Sequence, residues 1–330
     1  MATANQIIAL LKSHVDGDDQ QLYSIALQVA AAEAKRGRDS IAQELRTLVD
    51  SGRKARPSRS RAATSIAKPR GELADLMVVS HPKMRISDMV LSDSTELRLK
   101  NLLHQQRQRD RLRHHGHNPL KNLLLIGPPG SGKTMTSAAL AGELHLPLFT
   151  IRLDTLITRF LGETATKMRL VFDQIADQRG IYLFDEFDAL GARRDRDDDV
   201  GEMRRVLNSF LQFIEEPNST DSIVIATTNH PQLLDRALLR RFDDVIEYTL
   251  PDEAELQRLL KAQLKHTKTK ISGWKRIVQA AAGLSQGELA SATSEVIKDS
   301  ILNDTGPITS TSLLSALENR QAMQRRLKDC

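Results

Sequence analysis

The segment from Lys121 to Leu144 constrains the fold of this chain more than any other stretch. It begins with an apolar run over residues 121–126, continues with GPPGSGKT at 127–134, and ends in small and apolar residues at helical spacing. A buried strand, a glycine-rich loop and a helix in this order, with the spacing G-x-x-x-x-G-K-T, are typical of a phosphate-binding loop. The segment therefore predicts a nucleotide site, and a simple glycine-rich turn is the alternative.

The residue types in this loop suit an anionic ligand. Its glycines allow the backbone to curl, so that successive N–H groups face one anion at the positive end of the following helix. We expect Lys133 to reach the β- and γ-phosphates and Thr134 to hold Mg²⁺. The predicted nucleotide-binding residues of the loop are Gly127, Pro128, Pro129, Gly130, Ser131, Gly132, Lys133, Thr134 and Met135.

Length and composition favour a globular, cytoplasmic protein of about two domains. The chain has 330 residues, of which 40% are hydrophobic, and its only cysteine is Cys330. A lone cysteine excludes a disulfide framework and a cysteine-based metal site. No apolar run approaches the ~18–20 residues of a membrane span, and the N-terminus lacks the pattern of a signal peptide, so we expect no membrane partner.

The excess positive charge is concentrated in one short stretch. Residues 51–70 contain seven Lys or Arg and no Asp or Glu, whereas residues 71–330 contain 35 of each sign. The stretch also contains Pro, Ser and Ala and has no aromatic residue, which favours a flexible basic linker, assigned here to residues 51–80. Contact with nucleic acid or an acidic partner is the alternative.

Residues 1–50 are predicted to form a small N-terminal helical module. Apolar residues recur at helical spacing in three short segments, but fifty residues make a marginal core. We interpret the module as a docking element for a partner or substrate, and a purely structural extension is the alternative.

Four histidines lie near one another, one within and three just after a charged helix predicted over residues 94–113. They are His104, His114, His115 and His117. No carboxylate or cysteine falls at metal-ligand spacing beside them, and arginines crowd the same stretch, so we expect a solvated helix end and no metal site.

Beyond the loop, strands alternate with helices and then give way to helices alone. The predicted strands cover 121–126, 148–153, 181–186, 223–229 and 245–250, and the helices that follow Pro251 cover about 252–267, 273–282, 285–302 and 309–328. Strands that are apolar throughout and alternate with helices imply a parallel sheet covered on both faces. The predicted fold class is therefore α/β, with a large α/β subdomain over 81–250 and a helical subdomain over 251–330.

Two predicted strands end in polar residues suited to phosphate chemistry. Asp185 ends one strand and is placed to hold Mg²⁺ through water, because ligands bind where parallel strands end. The adjacent Glu186 is the natural general base for an attacking water. Asn229 ends another strand, where it can hydrogen-bond the γ-phosphate or the same water. A helix-capping acid pair is the alternative for the two carboxylates.

Four motifs resemble, in order, those of AAA+ ATPases, specifically of the AAA clade. GPPGSGKT at 127–134 resembles Walker A, IYLFDE at 181–186 Walker B, ATTN at 226–229 sensor 1, and LDRALLRRFD at 234–243 the second region of homology. The resemblance covers about residues 85–325. It implies an ATPase with ATP and Mg²⁺ as cofactors, a homo-hexameric ring with nucleotide between subunits, and a C-terminal helical lid.

The same resemblance assigns further site residues. Arg240 and Arg241 correspond to the arginine fingers that reach the nucleotide of the adjacent subunit, where a guanidinium stabilises the charge of phosphoryl transfer. The family separates these arginines by two residues, whereas here they are adjacent, so it stays open which one acts, with Arg241 slightly favoured. A surface salt-bridge pair is the alternative. In the lid, Gly287 lies in a turn similar to the family's G-x-S-G-A-D-L. His266 lies where a nucleotide-contacting histidine is often found, and an exposed lid histidine is the alternative.

A last group of residues points to a protein substrate. Phe160, Leu161 and Gly162 fall where pore loop 1 occurs in AAA proteins that thread polypeptide, and residues 193–199 fall where a charged second pore loop occurs. An aromatic residue followed by an aliphatic one can grip an extended chain by apolar contact, and Gly162 lets the loop turn. Phe160 as ordinary core is the alternative.

The predicted function is therefore ATP-driven remodelling or unfolding of protein substrates. A DNA-handling ATPase that uses the basic stretch, and a regulatory module that switches with nucleotide, are the alternatives. The layout also resembles bacterial plasmid- and defence-associated ATPases found with a subtilisin-type serine protease. No protease residues are evident in this chain, so any proteolysis would come from a separate serine protease partner.

Overall fold

The computed structural model describes residues 71–157, 161–190, 197–216, 220–234, 239–303 and 306–328, with scattered positions between 25 and 49. The chain divides into two compact units, Met1–Ala67 and Lys68–Cys330. In the first unit, Val29, Ala30, Ala42 and Val49 are buried. The basic stretch and most of the N-terminal module lie outside the described residues, so the roles assigned to them stay predictions.

A six-stranded sheet forms the centre of the second unit. Its strands are β1 (Met77–Ser80), β2 (Asn122–Ile126), β3 (Leu148–Ile151), β4 (Ile181–Phe184), β5 (Ile223–Thr228) and β6 (Asp244–Glu247), in the spatial order β1-β3-β4-β5-β2-β6. The pairs from β3 to β6 are parallel. The predicted parallel sheet is confirmed over these five strands.

The edge strand β1 departs from that prediction. It pairs antiparallel with β3, in the register Met77 to Ile151 through Ser80 to Leu148. The strand is four residues long and Val78 is 44% exposed, so it lacks the continuous apolar run by which buried strands are recognised in a sequence. Together with the helix α1 (Glu72–Leu76), β1 falls at the end of the range assigned to the basic linker.

Helices cover both faces of the sheet, and the side chains of each strand alternate between two apolar cores, one on each face. Leu124, Phe149, Tyr182 and Phe184 belong to one core, and Leu123, Leu125, Ile181 and Leu183 to the other. The helices of this part are α2 (Asp93–Arg107), α3 (Arg109–His114), α4 (Lys133–Leu144), α5 (Leu153–Leu156), α6 (Leu161–Asp177) and α7 (Asp197–Glu215).

The C-terminal part has its own apolar core, built mainly from four helices. They are α8 (Glu253–Gln263), α9 (Trp274–Ala281), α10 (Gln286–Leu302) and α11 (Ser310–Lys328). Capping boxes begin α8 at Asp252 and α10 at Ser285. The expectation of helices alone was wrong in one detail, because the two-residue strands β7 (Thr269–Lys270) and β8 (Ile308–Thr309) pair in parallel. Two residues are too few to show a strand pattern.

Gly142 generates a test of this packing, because α4 lies against the backbone that precedes α2. A Cβ added at Gly142 would lie 1.9 Å from the carbonyl oxygen of Met84. We expect Gly142→Ala to lower the free energy of unfolding by about 1–3 kcal/mol, since backbone must move to relieve the overlap. Thermal and urea unfolding measure the change.

Gly162 provides the matched control, since it also lies in a helix and its added Cβ meets nothing within 4 Å. Gly162→Ala should leave stability unchanged or raise it by up to about 1 kcal/mol. Equal melting temperatures for Gly142→Ala and the parent protein would contradict the close packing at Gly142.

Candidate functional site

The phosphate-binding loop connects β2 to α4, and its glycines adopt backbone conformations that other residues avoid. Gly127, Gly130 and Gly132 have φ values of 145°, 72° and 97°. A Cβ at Gly127 would also lie 2.3 Å from the carbonyl oxygen of Tyr248, which follows β6. The local sequence therefore folds into a loop that curls tightly before α4, with helical N–H groups beyond it.

Lys133 begins α4, and its ammonium group lies inside the site. The residue is 6% exposed, and its Nζ donates to the carbonyl oxygens of Gly127 and Pro128 and to Oδ1 of Asn229, at 2.8 Å each. Burial lowers the pKa of Lys133, and the nearby carboxylates of Asp185 and Asp188 oppose that shift. The structure thus brings together a lysine and an asparagine that are 96 residues apart.

Asp185 follows β4 and faces the first turn of α4. The hydroxyl of Thr134 donates to its carboxylate at 3.0 Å from Oδ2 and 3.1 Å from Oδ1. The sequence predicted both residues as ligands of one Mg²⁺, and the structure places them side by side. A hydroxyl and a carboxylate are oxygen donors of the kind that Mg²⁺ prefers, so the pair fits that ion.

Glu186, the predicted base, is exposed and has a φ of 53°. This left-handed conformation is unfavourable for a residue with a side chain, and the backbone N–H of Glu186 donates to Oγ1 of Thr227 at 3.1 Å. The same Thr227 hydroxyl donates to Oδ1 of Asp185. The sequence interpretation missed Thr227, because its position opposite Asp185 follows from the register of β5 against β4, which the local sequence does not show.

Asp188 is a second site residue that the sequence interpretation missed. It lies three residues after Asp185 in a short 3₁₀ turn, and its Oδ1 accepts a hydrogen bond from the backbone N–H of Asn229 at 3.3 Å. This bond fixes the backbone at the residue whose side chain contacts Lys133. Nothing in the local sequence separates Asp188 from other acidic residues of this polar turn.

The helical subdomain contacts the phosphate-binding loop directly. The backbone N–H of Gly287 donates to the carbonyl oxygen of Gly130 at 2.9 Å. A Cβ at Gly130 would lie 2.8 Å from Oγ of Ser285, so a side chain at this position would crowd the residue that caps α10. Gln286 adds a bond from Nε2 to the carbonyl oxygen of Val90 at 3.0 Å. The first turn of α10 therefore closes one side of the site.

These contacts surround a cavity of about 510 Å³, within the range typical of sites for small molecules. Its polar part is lined by the loop, Asp185, Glu186, Thr227 and Asn229. Met89 and Val90 on one side, and Leu259 and Ala262 of α8 on the other, supply an apolar part. A cavity with a cationic, amide-rich end and an apolar end fits a nucleoside triphosphate.

The predicted lid contacts differ in their placement. Gly287 lines this cavity, whereas His266 is exposed in the turn that follows α8 and is absent from the cavity lining, which includes Ala262 and Gln263. The lining also contains the predicted loop residues Pro129, Gly130, Ser131, Gly132, Lys133, Thr134 and Met135. Contact of His266 with nucleotide stays a prediction without support from this geometry.

The two adjacent arginines face different surroundings. Arg240 is exposed, whereas Nε of Arg241 lies 2.8 Å from Oε1 of Glu215, the last residue of α7. Of the predicted pore-loop residues, Leu161 begins α6 and Gly162 is exposed in its first turn, and Phe160 lies outside the described residues. Residues 193–196 of the predicted second loop lie outside them as well, and residues 197–199 begin α7.

Two further expectations concern metals and membranes. Across the described ranges, no group of three or more His, Cys, Asp or Glu side chains is arranged to hold a metal ion. Within the same ranges, no helix combines the length and apolar character that a membrane crossing requires.

Comparisons with known proteins identify a family model and several relatives of this chain. Residues 123–250 match the family model described as "ATPase family associated with various cellular activities (AAA)". The chain is 33% identical over 330 residues to the "Uncharacterized AAA family ATPase y4kL" of Sinorhizobium fredii, and the match covers 99% of both chains.

Two relatives are longer proteins. The chain is 33% identical over 254 residues to the ATP-dependent zinc metalloprotease FtsH 1 of Methylacidiphilum infernorum, covering 74% of this chain and 40% of that protein. It is 33% identical over 219 residues to the proteasome-activating nucleotidase of Thermococcus onnurineus, covering 64% and 55%. The crystal structure of the FIGL-1 AAA domain shares the fold, with a TM-score of 0.60 at 23% identity over 78% of this chain and 91% of that one.

The geometry predicts different defects for Lys133 and Glu186. Lys133→Ala should weaken ATP binding by roughly 10- to 100-fold, because a charge-assisted hydrogen bond contributes about 1.5–3 kcal/mol. Glu186→Gln should bind ATP within about twofold of the parent protein but hydrolyse it at least about 100-fold more slowly, since a general base is lost. Titration with a fluorescent ATP analogue and a phosphate-release assay separate the two; parental turnover in Glu186→Gln would remove it from this role.

Proposed function

Because the chain belongs to the AAA family of ATPases and hydrolyses ATP with Mg²⁺, we propose that it uses this hydrolysis to remodel or unfold protein substrates in a ring of identical subunits. The matches to FtsH and the proteasome-activating nucleotidase support the proposal. By their names, one is an ATP-dependent protease and the other activates a proteolytic machine. This chain spans only 40% and 55% of those two proteins, so substrate handling here is an inference from the shared part.

The proposed chemistry assigns one task to each group at the carboxyl ends of the strands. When bound, Mg·ATP supplies the γ-phosphoryl group that water attacks. Lys133 and the loop amides balance the negative charge of the phosphates, and Thr134 with Asp185 holds the ion. Glu186 accepts the proton of the attacking water, while Asn229 orients that water or the γ-phosphate.

A guanidinium from a neighbouring subunit completes the positive charge around the γ-phosphate, and we assign this guanidinium to Arg240. Its side chain is exposed, whereas Nε of Arg241 faces Glu215 of the same subunit. An arginine that must reach across a subunit boundary needs a guanidinium available at the surface. This choice reverses the slight preference for Arg241 in the sequence analysis. It also makes a homo-hexameric ring, rather than a monomer, the form that hydrolyses ATP.

A separate protease partner, and a location in the cytoplasm, belong to the same proposal. We identified no protease residues in the sequence, although the spacing G-x-S-x-G of a serine-hydrolase motif does occur at residues 283–287. It does not form a nucleophile elbow, because Ser285 lies between two helices and caps α10, accepting a hydrogen bond from the backbone N–H of Glu288. Proteolysis would therefore require another chain.

A capture assay tests the proposed substrate class. Glu186→Gln with ATP should retain a fluorescently labelled, permanently unfolded model protein on size-exclusion chromatography, because binding proceeds and release needs hydrolysis. Adding Phe160→Ala should abolish retention, since the gripping aromatic side chain is lost, and Phe160→Tyr in the same background should preserve it. Equal retention by Glu186→Gln with and without Phe160→Ala, or retention independent of ATP, would contradict a polypeptide-gripping role.

A further inference from the structure

Thr227 of β5 lies beside the end of β4, within reach of the residues that follow β4. Its backbone pairs with Leu125 of β2, so it is fixed within the sheet. On its other side, the pairing of β5 with β4 ends at Ala226 and Phe184. Thr227 therefore lies opposite Asp185 just after the ladder stops, where the backbone of the Asp185–Glu186 turn has lost its strand partner.

The Thr227 side chain supplies the missing partner. Thr227 is 1% exposed, and its hydroxyl oxygen accepts the backbone N–H of Glu186 at 3.1 Å while its O–H donates to Oδ1 of Asp185. One hydroxyl thus satisfies both a backbone donor and a carboxylate acceptor, in a place where water has little access. An apolar side chain of the same shape would leave both bonds unmade.

The turn that this hydroxyl holds is a strained one. Glu186 has a φ of 53°, a left-handed conformation that is unfavourable for a residue with a Cβ. Such a conformation persists only where surrounding contacts enforce it. Here it directs Asp185 toward Thr134 and leaves the Glu186 side chain on the cavity lining.

We propose that Thr227 is a positioning residue for ATP hydrolysis, whose buried hydroxyl holds Asp185 and Glu186 in their working orientation. The proposal rests on the proposed role of Glu186 as the general base. Thr134 still donates to Asp185 if the Thr227 hydroxyl is removed, so the larger loss falls on the backbone of Glu186. The effect should therefore appear in turnover rather than in ATP binding.

Steady-state ATP hydrolysis by Thr227→Val and Thr227→Ser, at saturating Mg²⁺, tests this role. Valine keeps the shape and removes the hydroxyl, so kcat should fall roughly tenfold or more, because small misplacements of a catalytic group are costly. The KM for ATP should stay within about twofold. Serine restores the hydroxyl and should recover kcat to within about threefold of the parent protein.

Thr293→Val is the matched control, since Thr293 is also 1% exposed but its hydroxyl donates to the carbonyl oxygen of Leu289 at 2.8 Å within α10, outside the cavity lining. Its kcat should stay within about twofold of the parent value. An unchanged kcat in Thr227→Val, an equal fall in Thr293→Val, or a failure of serine to rescue would each overturn the proposal. Melting temperatures and binding of a fluorescent ATP analogue identify any variant that fails to fold.

Glu186→Gln, measured in parallel, separates this proposal from the one on which it rests. If Glu186→Gln hydrolyses ATP at the parental rate, Glu186 is not the general base, and Thr227 then has no catalytic group to position. Loss of turnover in Glu186→Gln together with parental turnover in Thr227→Val would leave the base in place and refute only the role of Thr227.

Discussion

The parallel pairing of β2, β5 and β4 is the constraint on which the site depends. It brings the ends of three strands that are distant in the chain to one edge of the sheet, in the registers Ile126 to Thr228 and Phe184 to Ala226. Beyond its last residue, β2 continues into the phosphate-binding loop, β4 into Asp185 and β5 into Asn229. Because both faces of the sheet pack into apolar cores, the strands cannot slip without moving whole sets of side chains between those cores.

Close backbone contact between the two subdomains is the second constraint. Gly130 meets Ser285 and Gly287 without a side chain between them, and a hydrogen bond of 2.9 Å joins Gly287 to Gly130. The predicted phosphate-binding loop and the first turn of the lid helix α10 are therefore in direct backbone contact. We propose this contact as the route by which a shift of the loop on ATP hydrolysis moves the lid.

Much of this could be predicted from the sequence, because periodicity and motif spacing are local signals. The strands that contain only buried apolar residues and the four long helices of the lid were found within a few residues. The edge strand β1 and the β7–β8 pair were missed, since short strands with exposed residues show no such pattern. Thr227 and Asp188 were missed because their importance lies in contacts across strands, which depend on register. The roles of Arg240 and Arg241 could be distinguished only from the structure, which shows that Arg241 faces Glu215.

The central claim is that Arg240 of one subunit completes the ATP site of the adjacent subunit. ATP turnover in mixtures of Lys133→Ala and Arg240→Ala subunits tests this claim most directly. Each variant alone should be nearly inactive, the first because it cannot hold ATP and the second because no subunit supplies the guanidinium. In mixed rings an intact Arg240 meets an intact Lys133 across some boundaries, so turnover should reappear, at up to about a quarter of the parental rate per subunit for random 1:1 mixing. Absence of turnover at every mixing ratio, or parental turnover by Arg240→Ala alone, would contradict the account.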